Sequence, residues 1–220
     1  MKTAVILPTW SRVKQAALCT RRLLDTSSCD IVLVSEDNIY DFGDVIDDMR
    51  VYFFSVAKSP RLTAVQKWNY GLECAPDYDA YVLGADDLWA HEEWHNNALR
   101  AQKESGLGFI GINDGHCDGS NVSTHYMMTR EFIINHHGGV MAVPHYRSWG
   151  IDEEATSRAK KENQFFYAEN SILEHRHFLW EKSKIDLTYS TAKTSHDYDV
   201  FICSIRRARS WPNDFEAVIS

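Results

Sequence analysis

Two adjacent carboxylates, Asp86 and Asp87, end an apolar run in the stretch YVLGADDLW at 81–89. Like charges side by side repel, and burying either without a partner is costly, so a cation is expected to meet them. Hard cations such as Mg2+ or Mn2+ suit carboxylate oxygens and bridge to phosphates. A helix cap or solvated turn is the competing reading. A second cluster is LEHRHF at 173–178, where His175 and His177 share one face of a strand and could add imidazole ligands; an isolated pair of this kind is more often solvated. A third is SWGIDEEATSRA at 148–159, in which Asp152 or Glu153 could take a proton from an acceptor hydroxyl, or Asp152 could simply cap a helix. Trp149 just before it offers a platform for a flat apolar ligand face, or a core side chain. In KWNYGL at 67–72, Lys67 could meet a phosphate, and the run Arg206, Arg207, Arg209 is the one dense positive patch.

The elements that must position these residues alternate through the first hundred positions. Continuous apolar runs at 3–8, 30–35, 51–56 and 80–83 read as buried strands. Helices are expected at 12–25 (capped by Ser11), 62–74 and 91–104. That pattern predicts a mainly parallel sheet covered on both faces, with ligands beyond the strands' carboxyl ends. Trp10 to Arg12, Glu36 and Asp37, Lys58, and Asp86 with Asp87 all fall at such ends. Strands are also expected at 108–113, 125–129 and 171–176, a helix from about 152 to 163, and loops at 115–123 and 137–148. No repeat, low-complexity tract or linker interrupts the 220 residues, so one domain is expected.

Lys and Arg total 23 against 31 Asp and Glu, a formal charge of -8, which does not favour nucleic-acid or membrane surfaces. Five widely spaced cysteines without a CxxC motif read as reduced thiols, and the amino terminus reads as a strand and not a leader. No run reaches the ~20 apolar residues of a membrane span. A cytoplasmic protein is expected, host cytoplasm if it is phage-encoded.

Taken in order, these segments resemble the GT-A glycosyltransferases, in particular the inverting, nucleotide-sugar-dependent kind of bacteria and phages, over about residues 3–190. AVILPTWSR looks like the family's first strand and nucleotide-binding loop, with Pro8, Thr9, Trp10 and Arg12. DIVLVSEDN matches its second strand, with Glu36 and Asp37 at the base. KWNYGL resembles its basic-x-Asn-x-Gly segment, with Lys67 and Asn69. YVLGADDLW resembles the strand leading to the DxD motif, with Gly84 where the family has its first Asp and Asp86 at the metal-binding position. GIDEEATSRA resembles its ED-containing helix start; aligning Arg158 with the family's arginine places Asp152 at the catalytic Asp, with Glu153 one residue along. LEHRHF followed by KIDLTY resembles its late His-containing strand.

The resemblance implies an α/β GT-A (Rossmann-like) domain with a mixed, mainly parallel sheet flanked by helices. Residues 1–105 would form a nucleotide-binding half and 106–220 an acceptor half. It also implies a divalent cation, Mn2+ or Mg2+, on Asp86, Asp87 and His175 or His177. The donor would be a nucleoside-diphosphate sugar, a UDP-sugar in the first place. Asp152 would deprotonate the acceptor hydroxyl, with Trp149 at the acceptor, a glycan or a modified DNA base. A sugar-phosphate nucleotidyltransferase would need a Gly-rich basic loop that PTWSRVK lacks. A non-catalytic nucleotide- or glycan-binding module would fit if Gly84 cripples the metal site, and a metal-dependent hydrolase suits the scattered strand-end clusters less well.

Overall fold

The computed structural model describes residues 1–57, 59–75 and 77–215; Lys58, expected at a strand end, lies outside them. An eight-stranded sheet runs in the order β3-β2-β1-β4-β7-β6-β8-β5. Its strands are β1 (Thr3–Thr9), β2 (Asp30–Ser35), β3 (Val51–Ser55), β4 (Ala80–Leu83), β5 (Leu88–Ala90), β6 (Phe109–Asn113), β7 (His125–Thr129) and β8 (Phe165–His175). The first four pair parallel, β7 and β5 run against their neighbours, and β6 and β8 pair parallel. The carboxyl ends of β1, β4, β6 and β8 therefore open on one edge.

Successive side chains of the buried strands feed two cores. Ala4, Ile6, Val32 and Val34 face helix α2 (Ala64–Cys74). Val5, Leu7, Ile31 and Leu33 face α1 (Val13–Thr26) and α3 (Trp94–Ser105). This two-sided burial is why the strands read as unbroken apolar runs. Pro8 is tolerated in a central strand because β4 pairs only as far as Ile6, so its missing N–H lies where no strand pairs. Gly71 lets α2 press onto the sheet: a Cβ there would lie 2.5 Å from Ile6 Cγ2. Thr63 and Gln66 form a reciprocal capping box at the start of α2.

Four expectations change. Ser11 has a left-handed backbone and does not cap α1, whose N-cap is Arg12 with no side-chain bond. Asp152 lies inside α5 (Ile151–Lys161) and does not cap it; the N-cap is Gly150 at φ 78°. The strand expected at 171–176 begins six residues earlier, kinked where its register with β6 shifts after Ile112. Among strands and α-helices, β5, α4 (Arg130–His136) and the 22-residue α6 (Leu187–Ala208) were not anticipated, nor were the 3-10 helices Ile39–Asp47 and Phe178–Trp180. Among the described residues no helix is long and apolar enough to cross a membrane.

Candidate active site

What meets the paired carboxylates is Arg12, at the turn between β1 and α1. Its guanidinium donates to Asp86 Oδ1 at 3.0 Å, and the Thr9 hydroxyl donates to Asp86 Oδ2 at 2.7 Å. The same guanidinium lies 3.8 Å from Asp87 and sends two further bonds, of 2.6 and 2.8 Å, to Asp186. Asp186 is the N-cap of α6, so this helix starts directly over the strand edge. One turn in, the Tyr189 ring covers the guanidinium at 3.7 Å and its hydroxyl donates to Asp87 Oδ2 at 2.7 Å. Arg12, Asp86 and Asp87 are all buried.

The ribbon of β5 and β8 brings His175 to the other side of Asp87, its Nε2 3.3 Å from Oδ1. Burial opposes a charge on this imidazole, but Asp87, Asp114 and Asp152 raise its pKa. Burial would likewise raise Asp87, yet His175, Tyr189 and Arg12 hold it below the usual carboxylate range. Asp86 goes the other way: burial and the neighbouring Asp87 charge push it up to about 6. Burial keeps His125, pushed down to about 3, and His177, pushed down to about 4, as neutral imidazoles.

Asp152, near the start of α5, lies within electrostatic reach of His175 and Tyr126, and burial raises its pKa. Its approach loop is fixed by Asp199 of α6, whose carboxylate accepts the backbone N–H groups of Arg147, Ser148 and Trp149, each at 2.9 Å.

Of the residues singled out in the sequence, Thr9, Arg12, Asp86, Asp87 and His175 converge in one cluster. His177 makes no bond to Asp87; its ring packs on those of His175 and Tyr189 at 5.1 and 4.7 Å, and its Nδ1 accepts the Leu179 N–H at 3.4 Å. Lys67, expected at a phosphate, is buried and held by Glu36 at 2.5 Å and by the Thr9 carbonyl. Glu36 Oε1 has no partner, and with Asp37 it lines a 470 Å3 recess beyond β2 and β3. Asn69 clamps the 137–148 loop by bonds with Met141 and Ala142. Trp10 lies under Arg61 at 3.6 Å, and its carbonyl accepts from Thr188. Trp149 packs on His177 and His196.

Gly84 presents only backbone. Its N–H and C=O bond Ile6 and Trp68, and a Cβ would lie 2.8 Å from the Ile6 carbonyl oxygen, so no aspartate fits there. Glu153 pairs with Arg207 on the outer face of α5. Arg206 is buried against Glu154 and does not face the strand edge. Sequence reasoning passed over Asp186, Tyr189, Asp114, His125 and Asp199; the one readable signal was Asp186 at N-cap position before Leu187.

No family model and no curated protein matches this sequence. Solved structures do. A mannosyltransferase of Pyrobaculum calidifontis in complex with GDP-Man and Mn2+ superposes with a TM-score of 0.62 at 10% identity, over 96% of this chain and 72% of that one. Glucosyl-3-phosphoglycerate synthase from Mycobacterium tuberculosis, with Mn2+ and UDP-Glc, gives 0.61 at 12% identity over 94% and 78%. TarS of S. aureus with UDP-GlcNAc gives 0.61 at 12% over 79% and 57%. The chain has the GT-A glycosyltransferase fold.

Two of these neighbours carry Mn2+, so the fit of a divalent ion to these residues can be tested on their free donor atoms. Asp87 Oδ1 is buried with only the His175 Nε2 ion-pair contact at 3.3 Å, and His125 Nε2 is buried without a hydrogen-bond partner. A carboxylate with an imidazole suits Mn2+ or Mg2+ that keeps water and diphosphate oxygens as its other ligands. Asp86 is not free for this role, since Arg12 and Thr9 occupy both its oxygens. Among the described residues no group of three His, Cys, Asp or Glu is arranged to hold an ion by itself.

Proposed function

We propose that this chain transfers a sugar from a nucleoside-diphosphate sugar to an acceptor hydroxyl with inversion. The observation that carries the reading is the meeting, at one sheet edge of a GT-A fold, of the Arg12–Asp86–Asp87–His175 cluster and the raised carboxylate of Asp152. In the reaction the anomeric C–O bond to the diphosphate breaks and its electron pair leaves with the diphosphate. The acceptor oxygen bonds the anomeric carbon from the opposite side. Its proton passes to Asp152, whose raised basicity suits that task.

Asp87 and His175 would hold a divalent cation, which supplies Lewis-acid stabilisation of the leaving diphosphate when bound. Arg12 adds a permanent positive charge that needs no metal, and its position between Asp86 and Asp186 aims it at the same edge. The recess at Glu36 and Asp37 would receive the nucleobase, with carboxylates that accept its N–H groups. The neighbours' UDP and GDP donors make a uridine or guanosine diphosphate the donor class to test first.

The test is thermal shift with UDP, GDP, UDP-Glc, UDP-GlcNAc and GDP-Man, with and without Mn2+, since a ligand of the native state raises the midpoint by mass action. A shift with one nucleotide, enlarged by Mn2+, is expected. Absence of a shift with every nucleotide would overturn the reading.

A further inference from the structure

A groove of 850 Å3 opens on the side of β8 away from Asp87 and is unused by the donor site; His91, Cys117, Asp118, Glu174, Trp180 and Lys182 are among its walls. One strand and one loop separate it from the candidate centre. On β8, Glu174 faces the groove while the next residue, His175, faces Asp87. After β6, Asp114 accepts the N–H groups of His116 and Cys117 at 2.9 and 2.8 Å, fixing the loop that forms one wall of the groove.

The walls have a distinct chemistry. His116 and Trp180 stack at 5.0 Å and 17°, giving a flat face that is 39% exposed at Trp180. Around it stand the carboxylates of Asp118, Glu169 and Glu174 and the amide of Asn113. The one ammonium, Lys182, is already paired with Glu174 at 3.4 Å. A phosphate polymer needs unpaired Lys and Arg and meets carboxylates here instead. A sugar ring matches both features: its C–H face lies on aromatic carbon and its hydroxyls donate to carboxylate oxygens.

We propose that this groove is a saccharide-binding site outside the donor site, and that it takes a neutral saccharide, the chemical class of an acceptor, with one ring on the His116–Trp180 stack. The experiment separates this assignment from the transferase reading. The full chain is titrated calorimetrically with cellohexaose, chitohexaose and mannohexaose, with a 12-nucleotide single-stranded DNA, and, on the same preparation, with UDP and GDP plus Mn2+. One of the oligosaccharides is expected to bind, with affinity lowered tenfold or more in Trp180→Ala, lowered in Glu174→Gln, and recovered in Trp180→Phe. The DNA is expected not to compete.

No binding of any oligosaccharide, binding indifferent to Trp180→Ala, or DNA binding that Trp180→Ala abolishes would each overturn the groove assignment. Nucleotide binding in the same samples would leave the donor site standing in those cases. Saccharide binding without nucleotide binding would overturn the transferase reading and leave a saccharide groove. Trp180 sits on an exposed turn, so these variants fold, as the unchanged melting of each would verify.

Discussion

Arg12→Met removes the one positive side chain that bonds Asp86 and leaves two buried carboxylates at a strand edge with His175 alone to balance them. Breaking a buried pair while its partner stays charged costs about 3–5 kcal/mol; Asp86, already pushed up to about 6 beside Arg12, stays charged without it only well above neutral pH, so the comparison is made at about pH 9. The two bonds to Asp186 add little, because that carboxylate is 39% exposed and regains water. For a chain of this size, 3–5 kcal/mol lowers the melting midpoint by roughly 6–20 °C. The loss belongs to the stranded charge, so Arg12→Met combined with Asp86→Asn should recover at least half of it, about 2 kcal/mol. Mn2+ should also stabilise Arg12→Met more than wild type, since the guanidinium no longer competes for Asp86; at a hundredfold its Kd the ion contributes about 2.7 kcal/mol. Urea unfolding and thermal melts of the wild type and the single and double variants, with EDTA or Mn2+, measure all of this. A single variant within 2 °C of wild type, or a double variant no better than the single, would refute the account of Arg12 as the counter-charge of the pair.

Asp152→Asn should lower transfer by about 10²- to 10⁴-fold while the thermal shift with nucleotide and Mn2+ stays as in wild type; equal turnover would remove Asp152 from the base role. Asp199→Ala frees three backbone N–H groups at 147–149 and should destabilise by about 1–3 kcal/mol, with amide exchange accelerating in that loop ahead of the rest of the chain. Glu154→Ala leaves Arg158 and Arg206 without their shared carboxylate and should cost about 3–5 kcal/mol, read as a lower urea midpoint. In the metal-free protein the raised pKa of His175 gives a contribution to stability that is complete below its unfolded value of about 6.5 and declines as pH rises above it, against the opposite slope that the lowered His125 and His177 supply. It is read as the difference between the pH profiles of wild type and His175→Gln, and equal slopes in the two would show that another group is responsible.

The parallel half of the fold was legible because burial on both faces leaves no polar residue inside β1, β2 or β4, so each strand stands out as an apolar block. The second half was harder for identifiable reasons. β5 is three residues long and owes its existence to pairing with β8, which no local pattern encodes. The long β8 carries Glu169 and Asn170 at its kink, which breaks the alternation that would have extended it back to Phe165. α6 is rich in Ser, Thr and β-branched residues of modest helix propensity, and its outward face exposes Val200 and Phe201, so no apolar stripe marks it.

The same helix explains why only half of the candidate site could be read in advance. The strand-end acids were visible because acids after an apolar run demand a partner, and His175 because a paired histidine motif invites a ligand role. The partner itself was not deducible: Arg12 is one of many arginines until β1 and β4 are placed side by side. α6 then ties the cluster together by polar contacts instead of apolar packing. Asp186 and Tyr189 hold Arg12 and Asp87, Asp199 holds the loop before Asp152, and Arg206 holds Glu154. Such anchors are spaced by what they reach and not by helical periodicity, so they leave no pattern in the chain. They also place the first turn of α6 over the paired carboxylates, with Tyr189 on Asp87 Oδ2 and with Oδ1 left facing His175.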